Sequence, residues 1–262
     1  MTLSEEQVSL LKNNLITWMQ ERLQAIGAKN AVVGISGGKD SATVAALAVA
    51  AYGHEHVIGV LMPDGAQSDI AYAEDLCDAL GIQHEIINIS PMTSAFKSAL
   101  GNSALIKDGI SRQTQLNMPP RVRMTLLYAV AQSLDAVVIN TSNLSEDWVG
   151  YATMYGDTAG AFSPLAMLTT DEVIQLGRAL GLEERFVTKP PSDGLTGKTD
   201  EDVLGFTYDD LNAYIRTGEV SEDLRAQIDA LHKKSRFKFL GIEMFNPNYP
   251  IVAEDIAHIY QS

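Results

Sequence analysis

Residues 31–53 read AVVGISGGKDSATVAALAVAAYG, and three regimes follow one another along them. AVVGI is a short β-branched run, the glycine pair Gly37-Gly38 breaks it, and SATVAALAVAAYG carries the Ala-rich composition of a buried helix. Strand, tight loop and helix in that order place the loop's backbone N–H groups and the positive end of the helix dipole at one point, a cradle for an anion. The spacing is neither the GxxxxGK[ST] of a Walker A loop nor the GxGxxG of a dinucleotide fingerprint. A bare glycine turn between strand and helix is the plain structural alternative.

The same unit recurs outward from this stretch. HVIGVLM (56–62) precedes a helix near 69–80, and HEIINI (84–89) precedes one that starts after Pro91. Pro119-Pro120 suits a helix start, so the spacing predicts a helix from Pro120 to Ser133, followed by the strand DAVVIN (135–140). Upstream, Ser4 with Glu5-Glu6 and the periodic Val8, Leu11, Leu15, Trp18 and Leu23 predict a capped amphipathic helix over 4–26 that Gly27 ends. Downstream, KPPSDGLTGKTDED (189–202) reads as a mobile lid, and TYDDLNAYIR and SEDLRAQIDALHKK read as amphipathic helices. Together these predict an α/β fold: a doubly wound, mostly parallel sheet with a helical C-terminal segment, whose ligands bind beyond the carboxyl ends of the strands. We expect one domain over 1–262, with a core at about 28–185 and the lid and C-terminal helices at about 186–262.

Composition narrows the partners. The chain has 262 residues, 46% hydrophobic and 20% charged, with a formal net charge of -14, an ordinary globular balance whose acidic surface disfavours sequence-independent nucleic-acid binding. No apolar run approaches the roughly 20 residues a membrane helix needs, and no basic stretch followed by an apolar run opens the chain. We expect a cytoplasmic protein with no membrane partner. The single cysteine, Cys77, lies in a helical context and reads as a packing residue.

The hexapeptide Ser36-Gly37-Gly38-Lys39-Asp40-Ser41 resembles SGGxDS, the pyrophosphate loop of the N-type ATP pyrophosphatases, whose adenine nucleotide alpha hydrolase-like fold the resemblance implies here. That family holds the β and γ phosphates of ATP in the loop, cleaves at the α phosphorus and leaves AMP on the substrate. In such a site Ser36 and Ser41 offer hydroxyls, the glycines offer N–H groups and Asp40 offers a hard oxygen for Mg²⁺. Lys39, at the variable position, reads equally as a phosphate contact or a solvent-facing charge.

Further segments are similar to NAD synthetase in particular. Asn117, Arg121, Arg123 and Met124 in LNMPPRVRM match its Asn-x-x-x-Arg-x-Arg-Met, and NTSNLSEDWVGYATMYGD (140–157) looks like its second signature. The resemblance implies Glu146 as a second Mg²⁺ ligand, and Gln67, Thr141, Asn143 and the lid's Ser192 as ATP contacts, beside Ser68 as a possible nucleotide contact. It also implies Arg123, Tyr128, Asp157 and the His232-Lys233 pair at deamido-NAD, with Asp157 handling incoming ammonium. Capping, turn formation and helix-end dipoles remain the plain readings of Arg123, Gln67 and His232-Lys233. Relatives often carry Lys before Tyr-Gly-Asp, Asp shortly after it and Lys at the next helix start, where this chain has Met154, Ala161 and Thr170. Those departures put substrate and terminal-phosphate contacts in doubt, with Lys189 or Lys198 as replacements from the lid.

The resemblance therefore implies an ammonia-dependent homodimeric ligase acting on ATP, deamido-NAD and ammonia. Another pyrophosphate-loop enzyme that amidates or thiolates a different substrate, and a non-catalytic nucleotide sensor, stay open.

Overall fold

The computed structural model describes residues 2–67, 69–188, 200–247 and 249–254. Helix α1 (Glu5–Ile26) starts on a capping box in which Ser4 and Gln7 satisfy each other's backbone N–H groups, and ends at Gly27. Strand β1 (Asn30–Gly34) leads into α2 (Lys39–Tyr52), β2 (Val57–Leu61) into α3 (Ile70–Leu80), and β3 (Gln83–Ile86) into α4 (Ser90–Gly101). Helix α5 (Arg112–Ser133) precedes β4 (Ala136–Val138), and α6 (Leu144–Val149), α7 (Thr170–Ala179) and α8 (Glu184–Thr188) follow. From residue 200 onward come α9 (Asp200–Leu204), α10 (Tyr208–Thr217) and α11 (Glu222–Ser235).

The strands form one parallel sheet in the order β3-β2-β1-β4. Both faces are covered, which explains the uninterrupted apolar strands. Ala31, Val33 and Ile35 of the first strand region enter the core under α1, α2, α3 and α7, while Val32 points to the opposite core under α4 and α5. Helix α2 is buried along most of its length, from Ser41 to Ala48 and again at Ala51, and its alanines let it lie close between the sheet and its helical neighbours. A third cluster of Val149, Phe206, Leu211 and Ile228 ties α10 and α11 to α6. The doubly wound expectation holds, and no helix among the described residues is long and apolar enough to cross a membrane.

Chain order reverses at β1: β2 and β3 build outward on one side, and α5 carries the chain to β4 on the other. The crevice beyond the carboxyl ends of β1 and β4 is thus the topological switch point, where sheets of this kind bind ligands. The loops at 35–38 and 139–143 both open into it.

One expected boundary is corrected. Helix α5 begins at Arg112, capped by Ser111, whose hydroxyl accepts from Thr114 N–H at 3.1 Å, and it contains Pro119 and Pro120 in its interior. Two prolines remove two ladder hydrogen bonds. Burial of Met118, Pro119 and Val122 against the sheet offsets that loss. Arg121 and Arg123 consequently sit in mid-helix and not at a helix start.

Candidate functional site

The glycine loop has the geometry its sequence implies. Gly37 takes φ 78°, a left-handed conformation that costs a side-chain-bearing residue about 1–2 kcal/mol. Gly38 is the N-cap of α2 and supplies no side-chain cap, so the helix's first N–H groups face the crevice. Ser36 and Ser41 hydroxyls lie 3.1 Å apart; Ser36 Oγ accepts from Gly38 N–H at 3.2 Å, and Ser41 Oγ donates to Gly38 O at 3.0 Å. The turn is braced from inside by the serines that flank it.

Across the switch point, the second loop delivers its carboxylate through a short helix. Asn143 caps α6, its Oδ1 accepting from Glu146 N–H at 3.1 Å, and its Nδ2 donates to Asp40 Oδ1 at 2.9 Å. One buried asparagine thereby links the glycine loop to the helix that carries Glu146. Lys39 completes the cluster: its Nζ is 2.9 Å from Asp40 Oδ2 and 3.9 Å from Glu146 Oε1, with the lysine side chain only 11% exposed. Lys39 is therefore neither solvent-facing nor pointed away from the site.

Asp157 closes a neighbouring wall. Its Oδ1 accepts from Thr153 N–H at 2.8 Å, and its carbonyl accepts from Asn140 Nδ2 at 2.7 Å and Ser142 Oγ at 3.2 Å, so the Tyr-Gly-Asp turn is pinned to the loop after β4. Tyr155 within that turn has φ 62°, a strained setting of the kind concentrated at functional sites. Asp157 keeps an open face to solvent yet lies deep among surrounding atoms. Burial raises its carboxyl above the ordinary range, against the Thr153 hydrogen bonds and the Lys238 charge. Arg123 donates from Nε to Met62 O at 2.9 Å, at the end of β2, and stands between the charges of Asp64 and Asp157. Asn117 of the same helix accepts from Thr153 Oγ1 at 3.1 Å.

The other expected residues are arranged differently. Gln67 spends its amide on Asp69 Oδ1 at 2.9 Å, within the turn that starts α3. Thr141 lies half-buried in the loop after β4, and Tyr128 stands exposed on α5 two turns beyond Arg121. His232 Nδ1 pairs with Trp148 O at 2.9 Å and its ring packs on the Trp148 indole, centroids 4.1 Å apart; Lys233 is exposed. Ser192, Ser68, Lys189 and Lys198 lie outside the described residues.

The departing positions have local partners. Met154 O accepts from Arg121 Nε at 3.1 Å, and Ala161 N–H donates to Val138 O at 2.8 Å beside β4. The Thr170 hydroxyl accepts from Asn212 Nδ2 at 2.8 Å in a buried network with Ser145.

Three residues near the site escape sequence reasoning. Asp147, next to Glu146, is pushed up to about 7 by burial, with the Asp157 charge adding and Arg236 opposing. Arg236 donates to the carbonyls of Asp147 and Trp148, and Lys238 Nζ donates to Gly150 O at 2.7 Å and Ala152 O at 2.8 Å. These cations satisfy the carbonyl end of α6, a task no local motif announces.

A doubly wound parallel sheet with a glycine loop and two carboxylates converging at its switch point defines an α/β protein of the class that binds ligands in that crevice. Residues 11–239 match the sequence model of the NAD synthase family, and the chain belongs to that family. It is 41% identical to an NH(3)-dependent NAD(+) synthetase of Thermococcus kodakarensis over 195 residues, 74% of each chain. It is 37% identical to that of Methanosarcina acetivorans, covering 86% of this chain and 91% of the relative. Among solved structures, the NMN synthetase of Francisella tularensis superposes with a TM-score of 0.83 at 31% identity, over 95% of this chain and 100% of that one. The NH3-dependent NAD synthetase of Campylobacter jejuni gives 0.75 at 28% identity, over 94% and 100%.

Proposed function

We propose that this chain amidates the nicotinate carboxylate of deamido-NAD with ammonia, splitting ATP to AMP and pyrophosphate. The observation that carries the reading is the junction of Asp40, Asn143 and Glu146 across the switch point beside the glycine loop, in a member of the NAD synthase family.

In this reading the Gly37 and Gly38 backbone and the Ser36 and Ser41 hydroxyls hold the β and γ phosphates. Asp40 and Glu146 are hard oxygen donors of the kind Mg²⁺ takes. That they already share a cation, the Lys39 ammonium, supports the fit. When bound, Mg²⁺ supplies charge neutralisation at the polyphosphate. The substrate carboxylate attacks the α phosphorus, forming an acyl adenylate and releasing pyrophosphate. Arg123 positions the nicotinate acid. Asp157, made more basic by burial, accepts a proton from ammonium, and the resulting ammonia attacks the acyl carbon, loses a second proton and expels AMP. Gln67, Thr141 and Ser192 are nucleotide contacts on this account, and Tyr128, His232 and Lys233 belong to the wall that meets the far part of the dinucleotide. The reading includes a homodimer, for which the exposed apolar Leu116 and Tyr128 of α5 are candidate contact residues, and the cytoplasm, where ATP and ammonium are supplied.

A second acceptor has specific support: the NMN synthetase superposes over nearly the whole chain, which favours nicotinate mononucleotide. Measuring kcat/KM with deamido-NAD and with the mononucleotide, at fixed ATP, Mg²⁺ and ammonium, separates the two. A clear preference for deamido-NAD is expected; the reverse preference assigns the mononucleotide, and turnover of neither removes both.

A further inference from the structure

The two carboxylates assigned to the metal converge on one ammonium. Asp40 Oδ1 accepts from Asn143 Nδ2 at 2.9 Å, and Asp40 Oδ2 is the oxygen on which the Lys39 ammonium rests, also at 2.9 Å. Glu146 Oε1 lies 3.9 Å from the same ammonium. Side chains only 18% and 22% exposed carry these two negative charges, and the Lys39 charge between them relieves their repulsion. A divalent cation held by Asp40 and Glu146 would stand within a few ångströms of that ammonium, and the two cations would repel. We propose that Lys39 is a resident counter-ion of the Asp40–Glu146 pair, displaced when a divalent cation arrives with ATP, and that its ammonium then moves onto the polyphosphate.

Lys39 is the first residue of α2, directly after the Gly37-Gly38 turn, so a flexible four-carbon stem covers the move without a backbone change. Metal alone must displace the ammonium from this pair, whereas metal with ATP brings a polyphosphate anion onto which it can move. Metal and nucleotide therefore bind with positive, reciprocal coupling. The proposal rests on the reading of Asp40 and Glu146 as the metal pair.

The test is a Mn²⁺ titration of the full chain by calorimetry, with and without α,β-methylene-ATP, in wild type, Lys39→Gln, Lys39→Arg and the double variant Lys39→Gln/Asp40→Asn. Without nucleotide, Lys39→Gln should bind Mn²⁺ at least about tenfold more tightly than wild type, as loss of one like charge within a few ångströms requires. Lys39→Arg should stay near wild type. Nucleotide should raise Mn²⁺ affinity more in wild type than in Lys39→Gln. A gain in affinity cannot come from a damaged fold. Equal affinities in wild type and Lys39→Gln, undetectable binding in both included, overturn the counter-ion role. If the double variant retains all the Mn²⁺ affinity of Lys39→Gln, the metal-pair reading itself fails and this proposal with it; if it loses that affinity, the pair stands whatever Lys39 does.

Discussion

Asp40 is the residue on which most of the account turns, because its two oxygens join the phosphate loop to Asn143 and to Lys39. Asp40→Asn keeps the shape and removes the charge. It should lower kcat/KM by about 10²-fold or more, the loss expected when a charge-stabilising group is removed at a reacting centre, with an unchanged circular-dichroism spectrum and melt. Unaltered turnover would remove the metal role. The loop residues Ser36 to Ser41 are contiguous, and the tight glycine turn between strand and helix is legible in the sequence. The direction of Lys39 is not. It depends on Asp40 and Glu146 meeting in space, and Glu146 lies more than a hundred residues further along the chain. His232 shows a related limit: the His-Lys pair is visible, but its contact with Trp148 O comes from the packing of α11 on α6.

At the scale of elements, α6 is held by its neighbours as much as by its own six residues. Gly150 ends it with φ 71°, and a Cβ there would lie 2.0 Å from Ser235 Cβ of α11. Gly150→Ala should destabilise the protein by about 2–4 kcal/mol, left-handed strain plus overpacking, measured by urea denaturation. A loss under about 0.5 kcal/mol would contradict the close α6–α11 contact. Helix α7 is fixed by a buried pair, Arg216 Nε donating to Glu172 Oε1 at 2.8 Å with the glutamate 3% exposed. Arg216→Ala strands that carboxylate and should cost about 3–5 kcal/mol in the same assay. Element identity is legible where periodicity and caps agree, as in α1 and α11. It fails at the start of α5, where Pro119-Pro120 reads as a boundary and tertiary burial overrides that local signal.

For the whole molecule, the parallel doubly wound sheet is legible because buried strands and amphipathic helices alternate, but the order β3-β2-β1-β4 is not written in any one segment. It emerges from α5 crossing to the far side of β1. Cys77 reports on the integrity of this assembly. Burial, with the charges of Asp78 and Glu74, pushes its thiol up to about 12 from 9.0. A raised thiol contributes stability that is full below pH 9 and lost as pH rises through about 12, so Cys77→Ser should flatten the alkaline limb of the stability profile. Native protein should likewise resist iodoacetamide at pH 8 and react once unfolded in urea; rapid native alkylation would place the thiol outside the core. Amide synthesis driven by ATP cleavage at the α phosphorus can be read by quantifying nucleotides after incubation with ATP, Mg²⁺, ammonium and deamido-NAD. AMP, pyrophosphate and NAD should form in equal amounts and only when ammonium is present. ADP and phosphate in place of AMP, or no ammonium-dependent amide at all, would contradict it.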